Sequence, residues 1–309
     1  MKLIEKIKNS NFNYVRNGHW FYIAPIVILL IGVIVLATAG FNLGLEFTGG
    51  TIVSINADNP EFNQSDIEAI FDSFNVKPSI TKEQSTSGGN TYSIKFNAGD
   101  DTDDIVSALQ ERFGEDMQPA EDIRPSTTNE TIMSVFWSIL AALAGLIIYM
   151  LIRFKFTAGM ATILALAHDV LMICALMAIF QIEMNASFIA AVLTVMAYSI
   201  NNSLVVFDRV RNMEKNNTEC YTLEQIINKS INRTLNRSIL TVTTTLATLI
   251  VLTVISLIMQ LSTLIEFALP IIFGLFAGTY SSLFLIAPLY KQFETARLYA
   301  KQRKNAAKK

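Results

Sequence analysis

Apolar positions in this chain gather into six long runs, at about 20–39, 132–152, 157–180, 188–207, 239–258 and 265–289. A helix that crosses the hydrocarbon of a bilayer needs about 20 mainly apolar residues. Backbone polar groups cannot stay unpaired in hydrocarbon, so only helices and closed barrels cross it. Runs this long lack the alternation of barrel strands, and the pattern predicts six transmembrane helices. The first run ends in Ala37-Thr38-Ala39, the small-x-small form of a signal cleavage site. It exceeds the about 7–15 apolar residues of a signal peptide and follows a long charged lead-in. It is therefore read as a retained span.

Between the first two runs, over 41–131, the period changes. Thr51 to Ile55 alternates like a strand, and Ser65 to Phe74 reads as an amphipathic helix with Ser65 as a cap. Val76 to Ile80 suggests a second strand, and Ser87-Gly88-Gly89-Asn90 signals a turn. Thr91 to Phe96 alternates again, Thr102 to Phe113 is helical with acids in its first turn, and Met117 to Ile123 suggests a last strand. The order β-α-β-β-α-β predicts a small α+β domain of the ferredoxin-like type. In the connection 208–236, Leu223, Ile226, Ile227, Ile231 and Leu235 recur at helical spacing. That predicts an amphipathic helix lying at the membrane surface.

Charge sets the orientation. Only 16% of residues are charged, against about 25% in soluble domains. Lys2, Lys6, Lys8 and Arg16 precede the first run, and Arg153 and Lys155 join the second to the third. The 208–236 connection and the tail 291–309 are also rich in Lys and Arg. Short connections on the other side hold Glu183 and Glu266, and the segment from Glu46 to Glu130 is acidic. Lys and Arg concentrate on the cytoplasmic side, so both termini are expected there, with 1–19 as a cytoplasmic lead and the α+β domain outside. The formal net charge of −2 hides this asymmetry and points to no nucleic acid partner. Cys174 lies in the third run and Cys220 in the 208–236 connection, which implies no disulfide framework. His19 and His168 make no zinc set. No cofactor is indicated.

Polar residues inside a span are costly and face the bundle interior. The third run carries His168-Asp169 near mid-depth, by the 1.5 Å rise per residue. Carboxyl groups withdrawn from water favour their neutral form, so Asp169 is a candidate carrier of an exchangeable proton. The fourth run carries Tyr198-Ser199-Ile200-Asn201-Asn202-Ser203, an unusually polar patch ahead of Asp208-Arg209. Arg237 opens the fifth run at a depth read as similar to that of Asn202, followed by Thr241, Thr244, Thr245 and Thr248. Interhelical adhesion is the alternative for the patch, and snorkelling to the interface is the alternative for Arg237. Gly274 and Gly278 form a small-xxx-small pair that lets helix backbones approach, on a neighbouring span or another subunit. Gly44-Leu45-Glu46-Phe47-Thr48-Gly49-Gly50-Thr51 makes a tight exit from the first span, with a hinge expected at Gly49-Gly50 and Pro125. An intramembrane aspartyl protease would need two deep carboxylates, and Asp208 lies too far toward the cytoplasm to partner Asp169. No enzymatic activity is expected.

Five ordered pieces carry a resemblance: GLEFTGGT at 44–51, LAHDV at 166–170, AYSINNSLVVFDRVR at 197–211, INRTLNRSILT at 231–241 and GTYSSLFLIAPL at 278–289. On them the chain resembles the SecD/SecF family of protein-export membrane proteins, on the SecF side, over nearly its whole length. The resemblance implies six spans forming half of an RND-type unit, in the bacterial cytoplasmic membrane. It implies pairing with SecD beside the SecYEG channel, with SecA acting upstream. The proton-motive force would draw an unfolded exported polypeptide outward, and the outside domain would contact that polypeptide. A proton or ion pathway through Asp169, His168, Asn201, Asn202 and Arg237 is implied with it. Two departures stand out. The acid of the first motif is Glu46 where the family has Asp, and Asn202 stands where the family has the Asp of SIND. An amide does not titrate, so the driving ion, or coupling itself, is open. An RND-type exporter half for lipids or small molecules, and a scaffold without coupling, are the competing readings.

Overall fold

The computed structural model describes residues 13–16, 18–58, 63–84, 90–97, 99–123, 125–217 and 220–306. The expected turn at 87–90 lies outside them except for Asn90, as do Lys2, Lys6, Lys8, Lys308 and Lys309. The described residues include six helices long and apolar enough to cross a membrane.

The first is α1 (Ile23–Ala39), entered through a 3-10 turn at Gly18–Tyr22. A one-turn helix, Leu45–Thr48, then leads into β1 (Gly50–Asn56). There follow α2 (Gln64–Ser73), β2 (Ser79–Gln84), β3 (Asn90–Phe96), α3 (Thr102–Phe113) and β4 (Glu121–Ile123). The four strands order as β2-β3-β1-β4. Every pairing is antiparallel, with Thr51 opposite Phe96, Ile80 opposite Ile94 and Gly50 opposite Ile123. Alternation in β1 turns Thr51, Val53 and Ile55 inward. Val53, Ile55, Ile94 and Phe96 pack with Ile67 and Phe71 of α2 and Ile105, Leu109 and Phe113 of α3 in a separate core.

Two local expectations change. The cap of α2 is Asn63, not Ser65: Asn63 takes extended backbone, and its side chain and that of Asp66 each accept from the other's backbone N–H. That reciprocal box satisfies two donors at the helix start, and Ser65 falls inside the first turn. The second strand begins at Ser79 rather than Val76, because Pro78 has no N–H to give a ladder.

The bundle consists of α1, α4 (Pro125–Arg153), α5 (Phe156–Phe180), α6 (Ala186–Lys215), α7 (Leu223–Ile258) and α8 (Ser262–Tyr280). Through a π-helical turn, Ser281–Leu285, α8 runs on into α9 (Ile286–Ala306), so the last span and the basic tail are one rod. The apolar stretches of α5, α6 and the α8–α9 rod bury 44%, 50% and 61% of their residues, against 11% in α1 and 6% in α4. The first three therefore make the centre, and α1 and α4 ride outside it. One end of the bundle, the sheet end, meets the sheet. The other, the basic end, carries Arg153, Lys155, Arg211, Lys215 and Lys291.

The amphipathic helix expected at 223–235 does not lie flat. It is the first third of α7, continuous with the span, and Ile226, Ile227, Ile231 and Leu235 are buried in the bundle core. An apolar stripe looks the same whether lipid or protein covers it. Here the residues ahead of α1 help to cover it. Asn13 donates to Glu224 Oε1 at 2.7 Å, Tyr14 Oη donates to Asn232 Oδ1 at 3.0 Å, and Tyr14 and Val15 are buried.

The sheet is tied to its end of the bundle. Lys95 Nζ of β3 pairs with Glu183 Oε1, between α5 and α6, at 2.7 Å. Ser262, at the start of α8, donates to Glu83 of β2. Burial tends to lower the Lys95 pKa, but the hydrogen bond and charge of Glu183 outweigh it and hold the ammonium above its ordinary value.

Candidate functional site

Asp169 is wholly buried where α5, α6 and the π turn meet. Its Oδ2 accepts from Ser199 Oγ of α6 and, at 2.9 Å, from Ser281 Oγ of the π turn. Oδ1 lies 2.9 Å from His168 Nδ1. An ionised carboxylate is acceptor-only and is satisfied by these groups, whereas a protonated one must turn one bond around and donate. With its proton on Nδ1 toward Asp169, His168 presents a bare Nε2, which is buried and has no partner among the described residues. The same imidazole lines a 260 Å³ groove between α1, α5 and α8, walled by Pro25, Ile28, Met172, Phe273 and Tyr280. His168 therefore stands between the buried carboxyl and an opening in the bundle wall.

Small residues permit this closeness. A Cβ on Gly274 would stand 2.5 Å from Val195 Cγ1 and 2.9 Å from Ile173 Cδ1. One on Gly278 would stand 3.2 Å from Ser199 Cβ and 3.5 Å from Asp169 Oδ2. The Gly-x-x-x-Gly pair seats α8 on the neighbouring spans α5 and α6 of the same chain, and so closes the wall over Asp169.

The other residues singled out in the sequence divide. Asn202 is buried on α6, three residues beyond Ser199, and among the described residues no hydrogen bond reaches its amide. Asn201, next to it, is exposed. Arg237 is exposed and makes no ion pair among the described residues. Tyr198 Oη meets Thr245 Oγ1 at 3.1 Å and joins α6 to α7. The threonine stripe turns inward on itself: Thr241, Thr245 and Thr248 donate to carbonyls of their own helix at 2.9, 3.1 and 3.1 Å. Asp208 pairs with Arg153 at 3.5 Å and accepts from Asn212 at 3.2 Å at the basic end, while the neighbouring Arg209 keeps a buried Nε without a partner.

At the sheet end, Gly44 N donates to Met184 O at 2.9 Å and holds the exit of α1 against the α5–α6 connection. Gly49 and Gly50 have φ of +73° and +145°, and a Cβ on Gly50 would stand 2.5 Å from Phe96 O. Two successive positive φ angles turn the chain straight into the sheet, which only glycine does without strain. Glu46 sits in the one-turn helix between α1 and β1. Pro125 is the first residue of α4. Among the described residues, no group of three or more His, Cys, Asp or Glu is placed to hold a metal. Sequence reasoning missed Ser281. The signal was there, since Ser281-Ser282 interrupts an apolar run, but only the fold brings it to Asp169.

The family description "Protein export membrane protein SecD/SecF, C-terminal" matches residues 105–296, and "SecD/SecF GG Motif" matches residues 34–61. The chain belongs to the SecD/SecF family. Among its relatives, the protein translocase subunit SecF of Sebaldella termitidis is 30% identical over 292 residues, covering 93% of this chain and 94% of that protein. SecF of Thermodesulfovibrio yellowstonii is 31% identical over 308 residues, covering 93% and 96%. A crystal structure of SecDF from Thermus thermophilus, described as a translocon-associated membrane protein, is 27% identical with a TM-score of 0.76. That match covers 93% of this chain, which spans only 39% of the SecDF chain. With six apolar helices and relatives from bacteria, this SecD/SecF chain is a multi-pass bacterial membrane protein. The Gly49-Gly50 turn lies inside the matched GG motif, and His168, Asp169, Asn202, Arg237 and Ser281 lie inside the C-terminal match.

Proposed function

We propose that this chain is the SecF-type accessory subunit of the Sec protein translocase and forms one half of an RND-type unit whose other half is a SecD-like chain. The basic end faces the cytoplasm with both termini, by the preference of Lys and Arg for that side. The sheet, a split β-α-β arrangement of the ferredoxin-like type by its strand order, then lies outside. There it contacts the unfolded polypeptide leaving the SecYEG channel after SecA has acted.

The observation that carries this reading is the buried Asp169 cluster. A carboxyl group wholly withdrawn from solvent, held by two hydroxyls and an imidazole, suits reversible protonation driven by the proton-motive force. Pairing is supported by the open polar side of α6 and α7, where Asn201 and Arg237 are exposed. Such groups at membrane depth normally face protein or water. Export into inverted membrane vesicles, with an imposed proton gradient, tests the reading. Asp169→Asn should abolish the stimulation by the gradient while the chain still assembles with its partner; undiminished stimulation would sink proton coupling here. One observation favours a scaffold without coupling: the buried Asn202 offers an amide that cannot titrate. Asn202→Asp, with pH and sodium varied, separates the two. A scaffold gains nothing from the restored acid.

A further inference from the structure

At the basic end, the ends of α4, α5 and α6 surround a cavity of about 350 Å³, backed by Tyr290 of α9. Four cations line it, Arg153, Lys155, Arg211 and Lys215, against one acid, Glu214. Two of the cations are compensated. Lys155 Nζ pairs with Glu214 at 2.6 Å and with Glu294 at 3.6 Å, and Arg153 pairs with Asp208 at 3.5 Å. The other two are not. Arg211 donates only to the Arg153 carbonyl, at 3.3 Å, and Lys215 has no acidic partner among the described residues. They are four residues apart on α6 and so share one face. The rest of the wall is apolar or aromatic, with Phe154, Phe207 and Val210 below the charges.

We infer that this cavity binds the phosphate headgroup of an anionic phospholipid. Phosphate oxygens suit the uncompensated Arg211 and Lys215, and a guanidinium meets such a group through two parallel donors. The placement favours a lipid over a soluble anion. Arg153 is the last residue of its span and Lys155 sits directly before the next, so the cavity lies where hydrocarbon gives way to headgroups. From Phe207 to Lys215 the wall rises about 12 Å, changing from aromatic to cationic, as a lipid changes from acyl chain to phosphate. Basic pockets between helices at the membrane surface hold lipid headgroups in this manner.

Native mass spectrometry of the full chain, released from mixed micelles, measures the lipid retained. Phosphatidylglycerol should be kept in preference to phosphatidylcholine with the same acyl chains. The double variant Arg211→Gln/Lys215→Gln should hold phosphatidylglycerol roughly thirtyfold more weakly, from the loss of two basic contacts. Lys301→Gln/Arg303→Gln, which removes the same charge from the exposed end of α9, should leave retention unchanged. If the double variant does not fold, Lys215→Gln alone should still weaken retention. Equal retention of the two lipids, or an equal loss in the α9 variant, overturns the site. Displacement of phosphatidylglycerol by millimolar inorganic phosphate would overturn the lipid source in favour of a soluble anion.

Discussion

Gly274→Ala tests how the bundle closes over Asp169. The added methyl would stand 2.5 Å from Val195 Cγ1 and 2.9 Å from Ile173 Cδ1, where ordinary contact begins at 3.4 Å, and nearer still to the second Val195 methyl. Val195 is β-branched and in a helix has one strongly preferred χ1, so it does not swing aside; α8 must move off α6. Overpacking of this kind costs about 1–3 kcal/mol, and replacing a helical glycine returns about 1 kcal/mol of propensity. Val195 and Ile173 are 1% and 0% exposed. The upper end of the overpacking range therefore applies, and the net loss should be about 2 kcal/mol. Gly278→Ala serves as a comparison one turn along. Its nearest neighbour would be 3.2 Å away, so a small shift accommodates it and stability should stay within about 1 kcal/mol of wild type. Unfolding of the full chain in mixed micelles, followed by labelling of Cys174 with Cys220 replaced by Ser, reports both variants. Adding Val195→Ala to Gly274→Ala removes the obstructing methyls and should recover at least about 1 kcal/mol in a double-mutant cycle. A wild-type midpoint for Gly274→Ala, or a cycle with no coupling, would refute the reasoning.

Ser281→Ala removes one of the two hydroxyl donors to Asp169 Oδ2; it should destabilise the chain by about 1–3 kcal/mol and slow gradient-driven export, with Ser281→Thr restoring both, and an unaltered midpoint and rate would exclude the role. Gly50→Ala forces a side chain onto φ +145° and against Phe96 O; strain of about 1–3 kcal/mol should raise amide exchange in β1 and β3 and leave the bundle unchanged, so equal protection in the strands would count against it. The raised Lys95 pKa carries a sign: its contribution is complete below the ordinary lysine value and is lost as pH rises through the raised folded value. Paired spin labels on the sheet and on α8 should hold a constant distance up to about pH 10 and lengthen above it, while Lys95→Gln should lengthen it at neutral pH; a distance indifferent to both would show that the pair does not dock the sheet.

What the sequence disclosed follows from the range of each interaction. Hydrocarbon length and strand alternation are local, so six spans, the helix at 102–113 and the strands around 51–55 and 91–96 were legible in composition and period alone. The Gly274–Gly278 spacing announced a close helix contact for the same reason. Contacts between distant segments were not legible. Ser281 is 112 residues from Asp169, and no pattern along the chain points one at the other. The continuity of α7 was hidden because Ile226, Ile227, Ile231 and Leu235 would form the same stripe against lipid.

The polar residues singled out in the bundle differ in how they are provided for, and the difference bears on the proposed pairing. Asp169 has its partners within one chain: Ser199 and Ser281 meet one carboxylate oxygen and His168 the other. Its burial is therefore a property of the folded chain itself, and Gly278 shows the wall shaped closely around it. Among the described residues Asn201 and Arg237 have no such provision, and both stand exposed on α6 and α7. An amide or guanidinium turned toward acyl chains loses its hydrogen bonds to water without gaining others. A lipid-facing position would be penalised at both residues, whereas a second polypeptide or a wetted seam would supply acceptors. The chain thus holds a complete buried acid and an incomplete polar edge. On the proposed pairing with a second half-unit, an acid finished within this chain and a cation left for its neighbour would let protonation of the one be felt across the seam by the other.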